Sequence, residues 1–124
     1  MIKLFLIRGL PGSGKSTKAK MFKTLGIVDV VFEADDYFGF GENYNFNPIL
    51  LGKAHQSCLD NTKEALEQDL NVAVANTFTT LKELQPYIDL GYKYKIIECT
   101  GHYKSVHNVP ETTIDRMRTR WYTL

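Results

Sequence analysis

Residues 9–16 read Gly-Leu-Pro-Gly-Ser-Gly-Lys-Ser, and this octapeptide constrains the chain more than any other segment. It satisfies the pattern Gly, four free positions, Gly, Lys, Ser/Thr, in which each fixed position has a physical task. The glycines turn the backbone tightly with no Cβ in the way. Successive N–H groups then face inward as an anion nest, and a helix starting near Gly14 adds its positive N-terminal end. Lys15 reaches the terminal phosphates of a nucleotide, and Ser16 offers a hydroxyl to Mg²⁺. The flanks agree with this reading. Ile2 to Ile7 is an apolar, β-prone run, and Ser16 to Leu25 has Ala19, Phe22 and Leu25 at helical spacing. Strand, glycine loop and helix follow one another as a phosphate-binding loop requires.

The rest of the chain alternates in the same way. Val28 to Glu33 reads as a second strand, and Phe38 to Pro48 as a Gly/Asn-rich loop. Pro48 opens a helix to about Gln68, with Leu51, Ala54, Cys58, Thr62, Ala65 and Leu66 on its buried stripe. Val72 to Ala75 is wholly apolar, as a central parallel strand would be. Thr80 to Leu90 reads as a helix that Pro86 shortens or kinks, with Gly91 beyond its end. Tyr92 to Cys99 is a fourth strand, and Thr100 to Val109 a polar loop. Pro110 opens a last helix carrying Ile114, Met117 and Trp121. The expected fold is three-layered α/β, with a parallel sheet of about four strands and helices on both faces, over a single domain spanning residues 1–124.

Ligands in such folds bind at the carboxyl ends of the strands. Four groups meet that condition: the loop of residues 9–16, Asp35-Asp36, Asn76-Thr77 and Thr100-Gly101. Asp35 and Asp36 follow the second strand directly. A carboxylate there could accept a proton from an attacking hydroxyl or hold Mg²⁺ through water, and Asp35 is the preferred one. The alternative is a pair of turn-forming acids. Asn76 stands where many such proteins carry an acid, either as a contact to substrate or as part of a turn. His55 falls on the second helix's stripe as a partly buried histidine. His102 and His107 flank Lys104 in the polar loop without metal-like spacing. Arg116 and Arg120 share a face of the last helix, as phosphate contacts or as solvated charge.

Composition narrows the partners. A net charge of +1 gives no broad basic surface for nucleic acid, although a local patch would suffice. Cys58 and Cys99 are too few and too far apart for a disulfide scaffold or zinc site. No signal peptide and no membrane-spanning run is legible, which points to the cytoplasm and to no membrane partner.

These segments resemble the P-loop polynucleotide 5′-hydroxyl kinases, especially small phage-encoded relatives grouped as AAA-family ATPases. The resemblance covers nearly the whole chain. Arg8 to Thr17 is similar to the start of such proteins, Glu33-Ala34-Asp35-Asp36-Tyr37 to their Asp-Asp-Tyr segment, and Asn76-Thr77-Phe78-Thr79 to their turn after the third strand. Lys104 to Pro110 is similar to a lid ending in Val-Pro, with the lid at about residues 100–110. The resemblance implies ATP and Mg²⁺ as cofactors, with Gly9, Leu10, Pro11, Gly12, Ser13, Gly14, Lys15, Ser16 and Thr17 around the phosphates. Ser16 and Asp35 serve the metal. Lys15, Asp35 as general base and Lys104 as the lid cation serve catalysis, and Asp36, Tyr37, Asn76, Thr77 and His107 the substrate. The implied acceptor is the 5′-hydroxyl of DNA or RNA, with Tyr37, Phe38, Tyr44 and Phe78 as base-stacking candidates. Lys104 stands where the family has arginine, so the bidentate fork is lost. Two other readings stay open: a kinase for a nucleotide or small metabolite, and an ATP-binding switch with negligible catalysis.

Overall fold

Val72–Asn76 is buried at every position, and it is a central strand. The computed structural model describes residues 1–39, 41–101, 111–121 and 123. In order these form β1 (Leu4–Arg8), α1 (Lys15–Thr24), β2 (Val30–Phe32), 3-10 turns over Ala34–Phe38, Gly41–Asn43 and Pro48–Leu50, α2 (Leu51–Glu67), β3 (Val72–Asn76), α3 (Leu81–Ile88), β4 (Tyr94–Glu98) and α4 (Glu111–Arg120). The four strands are parallel in the order β2-β3-β1-β4. β1 and β3 are the inner strands, and both are nearly continuous apolar runs, because helices cover both faces.

The period-2 alternation of each strand divides the core. Leu4, Leu6, Val72 and Val74 face α2 and α3, packing on Ala54, Cys58, Ala65, Leu66, Leu84 and Tyr87. Ile7, Ala73 and Ala75 face the other way onto Ala19 and Phe22 of α1. The edge strands differ from the inner ones. β2 is only three residues and half-buried, shorter than Val28 to Glu33, and β4 exposes Tyr94, Lys95 and Glu98.

Helix ends also depart from the sequence pattern. Pro48 opens a 3-10 turn, not α2 itself, and the Asn47 side chain accepts the Ile49 N–H at 3.1 Å. Leu51 is therefore the first residue of α2 and is exposed, not part of the buried stripe. His55 is exposed too, flanking the buried stripe of Ala54 and Cys58. Leu25 caps the end of α1 and is 66% exposed. α3 spans eight residues around Pro86, and Gly91 follows it at φ +85°. Both cysteines are free, and burial raises both thiols above their usual pKa. No helix among the described residues is long and apolar enough to cross a membrane.

The carboxyl edge of the sheet is organised by a side chain whose packing the sequence did not disclose. Arg8 ends β1 with no exposed surface. Its Nε and Nη2 donate to the Phe78 carbonyl at 3.0 and 2.9 Å, and Nη1 donates to Glu98 at 2.8 Å. The guanidinium carbon lies 3.8 Å from the centre of the Trp121 ring, which follows α4. Phe78 adopts φ +48°, a conformation costing a bulky L-residue roughly 1–2 kcal/mol. Its forked, charge-assisted bonds to Arg8 are worth more than that, about 1.5–3 kcal/mol each, so the turn holds. Arg8→Met is expected to lower stability by about 3 kcal/mol by leaving the Phe78 and Thr79 carbonyls dry and unpaired. Urea unfolding checks this as a lower midpoint at unchanged slope. A loss under about 1 kcal/mol would show that water or a neighbour replaces the guanidinium.

Candidate functional site

Asn76, Arg8 and Glu98 are paired across β3, β1 and β4, so the three strands end on one rung. The loops leaving that rung converge. The Cys99 N–H donates to the Arg8 carbonyl at 2.8 Å, and the Gly101 N–H to the Ser13 carbonyl at 3.2 Å. These bonds tie the exit of β4 to the loop of residues 9–16. On the other side, Ser16 Oγ donates to Glu33 Oε1 at 2.5 Å, tying the exit of β2 to the start of α1. Asn76 Oδ1 accepts the Ala34 N–H at 2.8 Å, and Nδ2 donates to Cys58 Sγ at 3.7 Å. All four strand ends are thus brought to one crevice.

The loop has the conformation its sequence demands. Gly12 and Gly14 sit at φ +81° and +91°, in the left-handed region that glycine tolerates. Gly14 caps α1 without a side-chain hydrogen bond, and no acid stands in the helix's first turn. The N-terminal N–H groups and dipole of α1 are therefore available to an anion rather than spent on a cap. Gly9 meets a different requirement. A Cβ there would lie 2.1 Å from Ser13 Oγ and 3.1 Å from the Cys99 carbonyl. Ser13 is buried, and its hydroxyl has no hydrogen-bond partner among the described residues. Gly9→Ala is expected to destabilise by about 1–3 kcal/mol through overpacking and to weaken nucleotide binding, read by thermal melting with and without ADP. Adding Ser13→Gly should recover most of the loss. No recovery would place the clash on the Cys99 carbonyl instead.

Charge is distributed across the crevice. Burial pulls the Lys15 ammonium below its usual pKa, while Glu33, then Asp35 and Cys99, act in the opposite sense. Lys15 is therefore a partly buried cation whose charge is supported by the carboxylates at the exit of β2. Asp35 is half-buried, and Oδ1 accepts from the Tyr44 hydroxyl at 3.3 Å. Burial and the Asp35 charge push Tyr44 up to about 12, so it remains a donor. Asp36 turns back onto its own chain, its Oδ2 accepting the Glu33 N–H at 3.3 Å. Burial first, then Glu33 and Asp35, raise the Asp36 carboxyl against that bond and Lys20.

The aromatic candidates separate. Phe38 and Phe78 are buried in the core, whereas Tyr37 and Phe46 are each about half exposed. Phe38 packs edge-on against both Tyr37 and Phe46, at 5.6 and 5.1 Å between ring centres. Thr77 is partly buried beside Asn76. Arg116 and Arg120 are exposed on α4, and Arg118 pairs with Asp115 at 2.7 Å. Lys104 and His107, with the rest of the segment at 102–110, lie outside the described residues.

Two contributors to the site were not singled out from the sequence, Glu33 on Ser16 and Phe46 on Phe38, and Tyr44, named there as a stacking candidate, instead donates to Asp35. Only Glu33 left a signal there, as an acid at the end of a strand two positions before Asp35. The donors fit the group that the P-loop pattern implies. Mg²⁺ is held by hard oxygens, commonly one or two carboxylates with substrate phosphates, and the crevice presents the Ser16 hydroxyl and carboxylates. No cluster of three or more His, Cys, Asp or Glu residues suited to a metal occurs among the described residues.

No family model matches the chain. It is 36% identical over 110 residues to human NEDD4-binding protein 2, which covers 88% of this chain and 6% of that protein's length. Among solved structures, the chain is similar to one in the Pnkp1/Rnl/Hen1 RNA repair complex. That match has a TM-score of 0.68 and 22% identity, covering 96% of this chain and 43% of the other. A candidate kinase from Chloroflexus aurantiacus aligns at a TM-score of 0.64 and 15% identity, over 79% of this chain and 59% of its own. At these identities the likeness is one of fold. With the parallel order β2-β3-β1-β4 and the strand–glycine loop–helix unit, it shows a P-loop kinase-like α/β fold.

Proposed function

We propose that the chain is an ATP-dependent kinase that phosphorylates a hydroxyl, with the 5′-hydroxyl of DNA or RNA as the leading acceptor. The observation that carries this reading is the bond from Ser16, at the end of the glycine loop, to Glu33 at the exit of β2, which brings that loop and the Asp35-Asp36 turn to the same end of the sheet. Such a pairing can hold a phosphoryl donor and activate an acceptor. Mg²⁺-ATP supplies the electrophilic γ-phosphoryl group and its leaving group. The backbone N–H groups of residues 12–16 and Lys15 hold the charge that develops on the β- and γ-phosphates. Ser16 serves the metal. Asp35 accepts the proton of the acceptor hydroxyl as its oxygen bonds to phosphorus, and Tyr44 keeps that carboxylate oriented. The family resemblance gives Lys104 the role of lid cation, and His107 a place near the acceptor.

The acceptor class draws support from the structural neighbour whose complex carries out RNA repair, and from exposed Tyr37, which follows Asp35-Asp36 directly. A net charge of +1 favours the second reading, a kinase for a nucleotide or other small hydroxyl compound. Transfer of label from γ-labelled ATP to 5′-hydroxyl oligonucleotides, nucleosides and nucleoside monophosphates decides between them. Labelled oligomer, with a steep loss of oligomer binding as salt rises, supports the polynucleotide reading. Label on small acceptors alone supports the second. ATP binding with no label transferred would leave a nucleotide-dependent switch.

A further inference from the structure

We propose that Glu33 is the acid of the magnesium site, acting with Ser16 in place of the carboxylate that β3 lacks. The inference rests on the kinase reading and assigns a residue within it. Its basis is direct: Ser16 Oγ, the hydroxyl that the P-loop pattern assigns to the metal, donates to Glu33 Oε1 at 2.5 Å. Oxygens on adjacent corners of a magnesium octahedron lie about 3.0 Å apart, because each sits about 2.1 Å from the ion. A hydrogen-bonded pair of oxygens already stands close to that spacing, so a small side-chain adjustment lets Glu33 share the ion with Ser16 or hold one of its waters.

Glu33 is also fixed from both sides. Its own N–H is held by Asp36 Oδ2 at 3.3 Å, and the next N–H, of Ala34, by Asn76 Oδ1 at 2.8 Å. Asn76 ends β3 in register with Arg8, the last residue of β1 before the loop. The end of β3 thus contributes an amide that positions the acid of β2. An amide suits that post better than a carboxylate, since Nδ2 also donates to the Cys58 sulfur. The arrangement explains why a phosphate-binding loop can function here with asparagine at the end of β3. A counter-ion for Lys15 is the competing role, because Glu33 is the carboxylate with the largest effect on that ammonium. The two roles differ in what they do to metal affinity.

Electron paramagnetic resonance of Mn²⁺, titrated into the full chain with saturating ADP, separates them. Glu33→Gln is expected to weaken Mn²⁺ binding in the ADP complex by about 10–100-fold. Metal-free ADP should bind as well as before or better, because a negative charge leaves the phosphate site. Glu33→Asp keeps the charge but draws it back by one methylene, and should show a smaller loss. Circular dichroism accompanies both variants, and if Glu33→Gln does not fold, Glu33→Asp decides. Mn²⁺ affinity within twofold of wild type in the folded variant would overturn the assignment and leave Glu33 a counter-ion. Failure of the wild-type chain to bind ADP would instead overturn the nucleotide-binding reading on which the assignment stands.

Discussion

Lys15→Ala is expected to lower phosphoryl transfer by about 10³-fold or more, the largest loss of any single substitution in the crevice. The size follows from what the side chain faces. Lys15 is a partly buried cation, its pKa pulled down by burial and held up by Glu33 and Asp35. A charge placed there costs no reorganisation when negative charge builds on the β- and γ-phosphates, and the low local dielectric magnifies its effect. Alanine removes the cation and leaves both carboxylates facing the nucleotide unopposed. Binding should fall as well as turnover, because repulsion acts on the ground state too. Single-turnover transfer and equilibrium ATP binding, measured separately, divide the loss between the two. Lys15→Arg tests the point-charge argument: its planar, bulkier head should fit the loop poorly and recover little. Transfer by Lys15→Ala within tenfold of wild type would sink the proposed role.

The parts of this site that were legible from sequence are those in which residue type and backbone task coincide. Gly12 and Gly14 stand at positive φ, so no other residue would serve as well, and their spacing to Lys15 and Ser16 is local. The sheet was legible for a similar reason, since β3 can be apolar throughout only if both faces are covered. Segment ends were less legible, because periodicity does not say where packing stops. Leu25 and Leu51 fit their stripes by angle but lie beyond the neighbours that would bury them. Pairings between distant segments left almost no trace. Glu33 reaches Ser16 across 17 positions, Asn76 reaches Ala34 across 42, and Arg8 reaches Phe78 across 70. Such contacts follow from the strand order β2-β3-β1-β4, which alternation of strands and helices does not fix. Arg8 illustrates the difficulty, because an arginine entering a phosphate-binding loop resembles a ligand contact, yet it is buried and pinned to the turn after β3.

Asp35→Asn is expected to reduce turnover by about 10²–10⁴-fold while leaving ATP affinity within a few-fold of wild type. Asparagine keeps the shape and can still accept the Tyr44 hydroxyl hydrogen bond, now 3.3 Å, but it cannot take a proton from an acceptor. The loss should therefore fall on kcat and spare ground-state binding, the opposite division from Lys15→Ala. Asp36 provides the internal comparison. Its carboxylate is turned to the Glu33 N–H, a bond that asparagine also satisfies through its carbonyl oxygen. Asp36→Asn also removes a partly buried negative charge that Glu33 and Asp35 already disfavour, so the site loses repulsion rather than function. It should keep turnover within about tenfold of wild type, well short of the 10²-fold lower bound for loss of a general base. Label transfer and ATP affinity measured on both variants give a specific signature: turnover lost at Asp35 and kept at Asp36, with binding kept at both. Equal losses at the two positions would mean that the turn after β2 acts as a structural unit. The base would then have to be sought elsewhere, with Glu33, already in hydrogen-bond contact with Ser16, as the next carboxylate to test.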